Sequence, residues 1–440
     1  MTLDQAKAKA QAKAQTQAQT QAKAKAKGSA APESSAPESS APESSAPESS
    51  ALASSAPEAL REMLAELQRL AALPLERGQT LPPQAYTSPE LYEWEVERIF
   101  RREWLCVARA EEIPQPGSYL RLDVLGTPLV ITRDEEGELH ALSRVCRHRF
   151  MDLLPPETAP ERGCLKRLTC PYHTWTYRLN GQYAGQLAGA PLMQRVDFDR
   201  AGCRLPAHRV EVWNGFVMLN LDPGAAPAAP GLHELDLQLS SYGIADWVSV
   251  HTRTWEGVPA NWKVAVENGS ENYHHMGTHA ATLDPVLPGR DTEVHECDGR
   301  WFTMFTPLSD PEQGGTGLGS HAGSDQGSRP GMLIAGIFPQ FVLAVLPDSA
   351  VSIRWLPTGP ATHDTRITAM VPPGVPETPG FAEQLVGIRA QIARIQEEDL
   401  VAIRGVQRGL ASHPAPSNGR FSHLERPLWQ FQRYLAERLL

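Results

Sequence analysis

Cys146-Arg147-His148-Arg149 and, after 21 residues intervening beyond His148, Cys170-Pro171-Tyr172-His173 set a C-x-H motif against a C-x-x-H motif. Two thiolates and two imidazoles on two loops can hold tetrahedral zinc. They can equally hold a [2Fe-2S] cluster, with both cysteines on one iron and both histidines on the other. Zinc fingers usually keep like ligands paired, Cys with Cys and His with His. Here each loop offers one of each, which suits a two-iron cluster bridging the loops. Histidine ligation would raise its reduction potential above that of an all-thiolate cluster. Six cysteines in 440 residues are too few for a disulfide scaffold. Cys106, Cys164, Cys203 and Cys297 have no histidine at a comparable spacing and read as small hydrophobes or free thiols.

Upstream of this stretch, Pro128-Leu129-Val130-Ile131, the turn Asp134-Glu135-Glu136-Gly137 and Leu139-His140-Ala141-Leu142 read as a hairpin leading into the first loop. Farther back, Leu91, Val96, Ile99 and Phe100 follow Ser88-Pro89 at helical spacing. Leu60, Met63, Leu64, Leu67 and Leu70 make the apolar stripe of an earlier helix, with Ser55 and Glu58 at capping-box spacing and Pro57 in its first turn. Before it, alanine alternates with Lys, Gln and Thr, and four copies of Ala-Pro-Glu-Ser-Ser run from Ala31 to Ser50. Such a segment has too little apolar surface to offset its ordering entropy, so residues 1–55 read as a disordered tail. Helices and a linker follow over 56–103, and the cluster-binding domain over 104–215.

About half the chain lies beyond, which argues against an isolated electron carrier. Its informative run is Asn261-Trp262-Lys263-Val264-Ala265-Val266-Glu267-Asn268-Gly269-Ser270-Glu271-Asn272-Tyr273-His274-His275-Met276-Gly277-Thr278-His279. His274 and His279, five apart, cannot share one face of a regular helix, so a common metal requires a helix end or local unwinding. Gly269 and Gly277 permit that. A regular helix would instead pair His275 with His279. Two histidines and one carboxylate leave coordination positions open for dioxygen and substrate, the set used by non-haem Fe(II) oxygenases. Gln396-Glu397-Glu398-Asp399-Leu400-Val401-Ala402-Ile403-Arg404-Gly405-Val406-Gln407-Arg408-Gly409-Leu410 reads as an amphipathic helix offering three acids.

Taken together, the Cys/His loops, flanked by Ala141–Val145 and Thr174-Trp175-Thr176-Tyr177, and the two later segments resemble the Rieske non-haem iron oxygenases, the aromatic ring-hydroxylating alpha subunits, over roughly residues 82–440. The resemblance implies an α+β chain: an all-β Rieske [2Fe-2S] domain, then a helix-grip catalytic domain over 216–440, an antiparallel sheet around a helix with an open pocket. It implies Cys146, His148, Cys170 and His173 as cluster ligands. It further implies His274, His279 and Asp399 as ligands of mononuclear Fe(II), with Glu398 the alternative third ligand. Glu271 would join the iron histidine to a cluster histidine of a neighbouring subunit, and Asn268 and Tyr273 match the pattern near the iron. The implied partners are O2, a small organic substrate, a separate NAD(P)H-linked reductase or ferredoxin, and two further copies in a homotrimer. One departure is Phe150, where many members carry glycine.

A formal charge of −10 argues against a nucleic-acid partner. No long uncharged apolar run and no opening signal segment is present, which leads to the expectation of a cytoplasmic protein without membrane contact. Substrate class stays open between an aromatic or related small organic molecule and a methylated or quaternary amine. Glu267-Asn268-x-x-Glu271-x-Tyr273-His274 is similar to the branch acting on quaternary ammonium compounds. Trp301, Phe302, Phe305, Phe338 and Trp355 could cage a cation, form a flat apolar slot, or simply be core. Gly314 to Gly331 reads as a loop over the pocket. Its dinucleotide-like Gly317-Leu318-Gly319-Ser320-His321-Ala322 has neither the preceding strand nor the following helix that the motif needs.

Overall fold

The computed structural model describes residues 57–186, 193, 197, 199–295, 299–310, 329–412 and 418–440. The tail expected over 1–55, Ser55 with it, Cys297 and the loop residues 314–328 fall outside them. The first helix, α1 (Glu58–Ala71), has Pro57 at its N-cap rather than in its first turn, and buries Leu60, Leu64, Leu67 and Leu70. Helix α2 (Pro89–Glu95) starts where Ser88 Oγ accepts from the Leu91 amide at 3.1 Å, and continues as a π turn that buries Ile99 and Phe100.

Strands β1 (Leu105–Arg109), β2 (Ser118–Val124), β3 (Thr127–Arg133), β4 (Leu139–Ser143), β5 (Arg162–Cys164), β9 (Ala207–Trp213) and β10 (Phe216–Asn220) form one antiparallel sheet, in the order β1-β10-β9-β4-β3-β2-β5. A second, three-stranded sheet joins β6 (Leu168–Thr169), β7 (Trp175–Tyr177) and β8 (Tyr183–Gln186). The expected hairpin is β3–β4, in register from Leu129↔Ser143 to Arg133↔Leu139. Asp134 closes its turn by accepting from the amides of Glu136 and Glu138.

After α3 (Ala229–Leu239) comes the C-terminal half. It comprises β11 (Val248–Val258), α4 (Trp262–Asn268), β12 (Glu293–Val294), β13 (Trp301–Pro307), β14 (Gly331–Ile337), β15 (Phe341–Val345), β16 (Ala350–Gly359) and β17 (Thr362–Val371). The chain then runs into the long α5 (Phe381–Leu410) and α6 (Arg426–Leu439). The seven strands pair antiparallel as β11-β17-β16-β15-β14-β13-β12. Strand alternation gives the sheet two working faces. Leu333, Ala335, Leu343 and Val345 join the core beneath α3, whereas Met332, Ile334, Val342 and Ala344 face a cavity closed from the other side by α5. That is the helix-grip arrangement. The helix expected from the sequence is only the second half of α5, although Phe381, Leu385, Ile388, Ile392 and Ile395 carry the same helical spacing back through its first half.

Two polar ties set α4, and through it the histidine turn. Lys263 Nζ and Trp262 Nε1 donate to the two oxygens of Glu95 at 2.7 and 2.8 Å, with Lys263 and Glu95 each only 1% exposed. Gln407 Oε1 on α5 accepts from the Asn261 amide at 2.8 Å, tying the start of α4, which leads into the histidine turn, to the helix that carries Asp399. Among the described residues no helix is long and apolar enough to cross a membrane.

Candidate metal centres

The two Cys/His loops fold alike. The Phe150 amide donates to the Cys146 carbonyl at 3.1 Å and the Thr174 amide to the Cys170 carbonyl at 3.0 Å. Each donor residue adopts a left-handed backbone, φ 58° in both. These tight turns bring the four side chains to one spot. Cys146 and Cys170 are buried, and the His148 and His173 rings lie 4.6 Å apart at 72°. His148 stacks on Trp175 at 4.8 Å. Its Nδ1 is buried with no hydrogen-bond partner among the described residues, and burial, then His173 and Arg149, holds its pKa below the ordinary value. A neutral imidazole with a buried free lone pair, beside two buried thiols, fits a metal cluster with mixed ligands. Tyr177 Oη approaches Cys146 Sγ at 3.3 Å and accepts from the Arg147 amide at 3.0 Å, which fixes the first loop over the sulfur. Phe150 is the chain's departure from the glycine expected there. Its side chain is 77% exposed, so it bears the backbone strain without packing in return.

The second centre forms where α4 stops. Gly269 caps the helix, and Tyr273–Met276 winds as a single 3-10 turn that ends at Gly277. This is the unwinding that the five-residue spacing required. His274 and His279 rings stand 5.0 Å apart, and one ligand atom from each of His274, His279 and Asp399 lies within 4.8 Å of the others. His279 Nε2 is 3.0 Å from Asp399 Oδ1, and His274 Nε2 is 3.6 Å from the same oxygen. On its far side each histidine meets a carboxylate. His274 Nδ1 donates to Glu271 Oε1 at 2.7 Å and its amide to Oε2 at 3.0 Å, while His279 Nδ1 donates to Glu398 Oε2 at 2.8 Å. Carboxylates can only accept here, so both rings carry hydrogen on Nδ1 and turn Nε2 to the shared point. Two imidazole nitrogens and one carboxylate oxygen converging this way fit a divalent iron with open positions. Burial opposes the charged form of His279, yet the hydrogen bonds and charges of Asp399 and Glu398 outweigh it and raise its pKa.

The structure separates residues that the sequence left together. Glu398 orients His279, and its carboxylate is held in turn by Thr282 Oγ1 at 2.6 Å and Arg394 Nε at 3.2 Å. Nothing in the local sequence singled out Thr282. His275 donates to the Leu287 carbonyl at 3.0 Å, burial pushes its pKa down to about 4, and it is not among the residues whose ligand atoms converge. Tyr273 is not brought to the cavity: successive side chains on a 3-10 turn point about 120° apart, and with His274 turned inward Tyr273 is 47% exposed. Asn268 does line the cavity, beside Asn272.

That cavity, about 400 Å³, opens onto Glu271, His274, His279 and Asp399 and runs between α5 and the sheet. Of the five aromatic residues that could form a cage, a flat slot or core, only Trp355 is among the described lining residues of the cavity. Phe302 and Phe338 instead pack at 5.5 Å with their rings tilted by 36°, and Phe338 meets Phe431 and Tyr434 of α6 at 5.0 and 5.3 Å. Trp301 belongs to the core beneath α3, with Phe305 at its margin.

Residues 103–197 match the family described as Rieske [2Fe-2S] domain, and residues 244–440 the ring hydroxylating alpha subunit (catalytic domain). The chain is 29% identical over 383 residues to a choline monooxygenase, chloroplastic, of Arabidopsis thaliana, covering 83% of this chain and 84% of that one. It is 33% identical over 243 residues to the glycine betaine monooxygenase oxygenase subunit of Chromohalobacter salexigens, spanning only 52% of that relative's length. The crystal structure of a quaternary ammonium Rieske monooxygenase in complex with gamma-butyrobetaine matches with a TM-score of 0.70 at 26% identity, over 85% of this chain and 99% of that one.

Proposed function

We propose, from the premise that this chain belongs to the Rieske non-haem iron oxygenases of the ring-hydroxylating alpha-subunit type, that it is the catalytic subunit of a cytoplasmic O2-dependent oxygenase hydroxylating an aromatic or related small organic substrate. The observation that carries this reading is the convergence of His274, His279 and Asp399 at a largely apolar cavity, in a chain that also holds the paired Cys/His loops. When bound, the cluster at Cys146, His148, Cys170 and His173 supplies single electrons, and iron at His274, His279 and Asp399 supplies a place for O2 activation.

The chain's own residues do the rest. Glu271 and Glu398 fix the two imidazole planes, so both Nε2 atoms keep one orientation whether or not substrate is present. The aliphatic wall from β14, β15 and α5 excludes water from the reacting end, and Asn268 offers a neutral amide there. Glu271 is the proposed link to a cluster histidine of a neighbouring subunit, which makes the working assembly a homotrimer. Electrons come from NAD(P)H through a separate reductase or ferredoxin.

A second reading, hydroxylation of an N-methyl group leading to demethylation of a quaternary ammonium substrate, is supported by the names of the relatives and by the Glu271-x-Tyr273-His274 spacing. Oxygen uptake by the iron-loaded protein with a surrogate reductase tests the proposal. Uptake that depends on an added aromatic or methylated compound supports it, and uptake indifferent to every organic compound overturns it.

A further inference from the structure

The walls of the cavity bear on the choice between those substrates. Met332, Ile334, Val342, Ile353, Ile388 and Ile392 represent a lining that is aliphatic on the sheet side and the helix side alike. Among the described lining residues there is no lysine or arginine, and the acids are Glu271 and Asp399. Both acids are already engaged by histidines, Glu271 through two hydrogen bonds to His274 and Asp399 at His279 Nε2. Trp355 is a lone ring, pressed so closely on Gly269 that a Cβ at that position would overlap it. Apart from the histidines, the remaining polar groups, such as Asn268, Gln391, Gln396 and Ser349, are neutral.

A quaternary ammonium ion entering this space would leave water for hydrocarbon with a single aromatic face to receive it. Burying an ion without a partner is strongly unfavourable, and one ring offsets only part of that loss. A betaine or carnitine would add a carboxylate with no described cation to bind it. For an uncharged molecule the same walls are favourable at every contact, and the amides can still hold a hydroxyl or carbonyl group.

We infer that the cavity takes an uncharged, predominantly apolar substrate held by shape, and that it discriminates against the quaternary ammonium compounds for which its relatives are named. This rests on the oxygenase reading for its use, but not for its test. The test pairs choline with its neutral tert-butyl isostere, in which carbon replaces the ammonium nitrogen, and adds glycine betaine and a fused bicyclic hydrocarbon. Binding to the iron-loaded protein is followed by calorimetry, and oxygen uptake with a surrogate reductase is recorded separately.

The expected result is binding of both neutral compounds, tighter than choline and betaine by on the order of tenfold or more. Ile392→Trp, which fills the cavity, should abolish that binding, whereas Ile392→Val should keep it. Choline or betaine binding as tightly as the isostere overturns the inference, as does failure of both neutral compounds to bind. Neutral binding that survives Ile392→Trp in a protein of unchanged circular dichroism overturns it too. Neutral binding without any oxygen uptake would sink the oxygenase reading while leaving the cavity's selectivity in place.

Discussion

Glu398 accepts a hydrogen bond from Nδ1 of His279 at 2.8 Å. The next residue on the same helix, Asp399, meets Nε2 of that ring at 3.0 Å. One turn of α5 therefore provides both the third candidate ligand and the group that orients the second.

Removing the orienting charge while keeping the shape tests that division of labour. Glu398→Gln should weaken Fe(II) or Co(II) binding at the mononuclear site by about 10–100-fold and leave the cluster's visible absorbance unchanged. Metal titration of the purified variant measures it. An unaltered affinity would make Glu398 a surface acid only.

Asp399→Ala removes the oxygen that lies within reach of both histidines. The expected outcome is loss of mononuclear iron with the full cluster spectrum retained. Retained iron in this variant would exclude Asp399 as the third ligand.

Phe150 holds a φ of 58° with its ring in solvent. A non-glycine residue in the left-handed region costs about 1–2 kcal/mol, and glycine's greater chain entropy offsets part of that gain. Phe150→Gly should therefore raise the thermal midpoint of cluster bleaching by about 1–3 °C. A fall would show that the exposed ring makes a stabilising contact.

Glu267 is half-buried and accepts from Tyr86 Oη at 2.6 Å. Burial is the main cause that raises its pKa from 4.5 to about 7. Between those values the folded protein holds a proton that the unfolded chain releases, so this group's contribution to stability falls as pH rises through that window and stays low above it. Glu267→Gln should flatten that slope and be more stable than the parent at pH 8 by about 1–3 kcal/mol. Denaturant midpoints across the pH range decide it, and an unchanged slope would contradict the protonated state.

Much of this was legible in the sequence because metal ligands must be specific residue types in short loops. Cys146, His148, Cys170 and His173 stand out without any knowledge of the fold. The demand that the chain unwind between His274 and His279 follows from helix geometry alone. Asp399 was legible only through resemblance, since three adjacent acids on one helix look alike until the turn facing the histidines is fixed. The separate use made of Glu398 depends on Thr282 and Arg394, which meet only in three dimensions. The aromatic residues stayed ambiguous in the sequence for a related reason. Period-2 alternation tells that a strand residue faces inward, but not which of two cores it enters. Phe302 and Phe338 turned out to support α6, and the cavity was left to Ile, Val, Leu and Met.

The central claim is that two different iron centres share this chain. Metal and acid-labile sulfide analysis of the purified protein, read beside its electron paramagnetic resonance spectrum, tests it most directly. About three irons and two sulfides per chain, with separate cluster and mononuclear signals, is the predicted result. Zinc in place of iron, with no sulfide released, would contradict it.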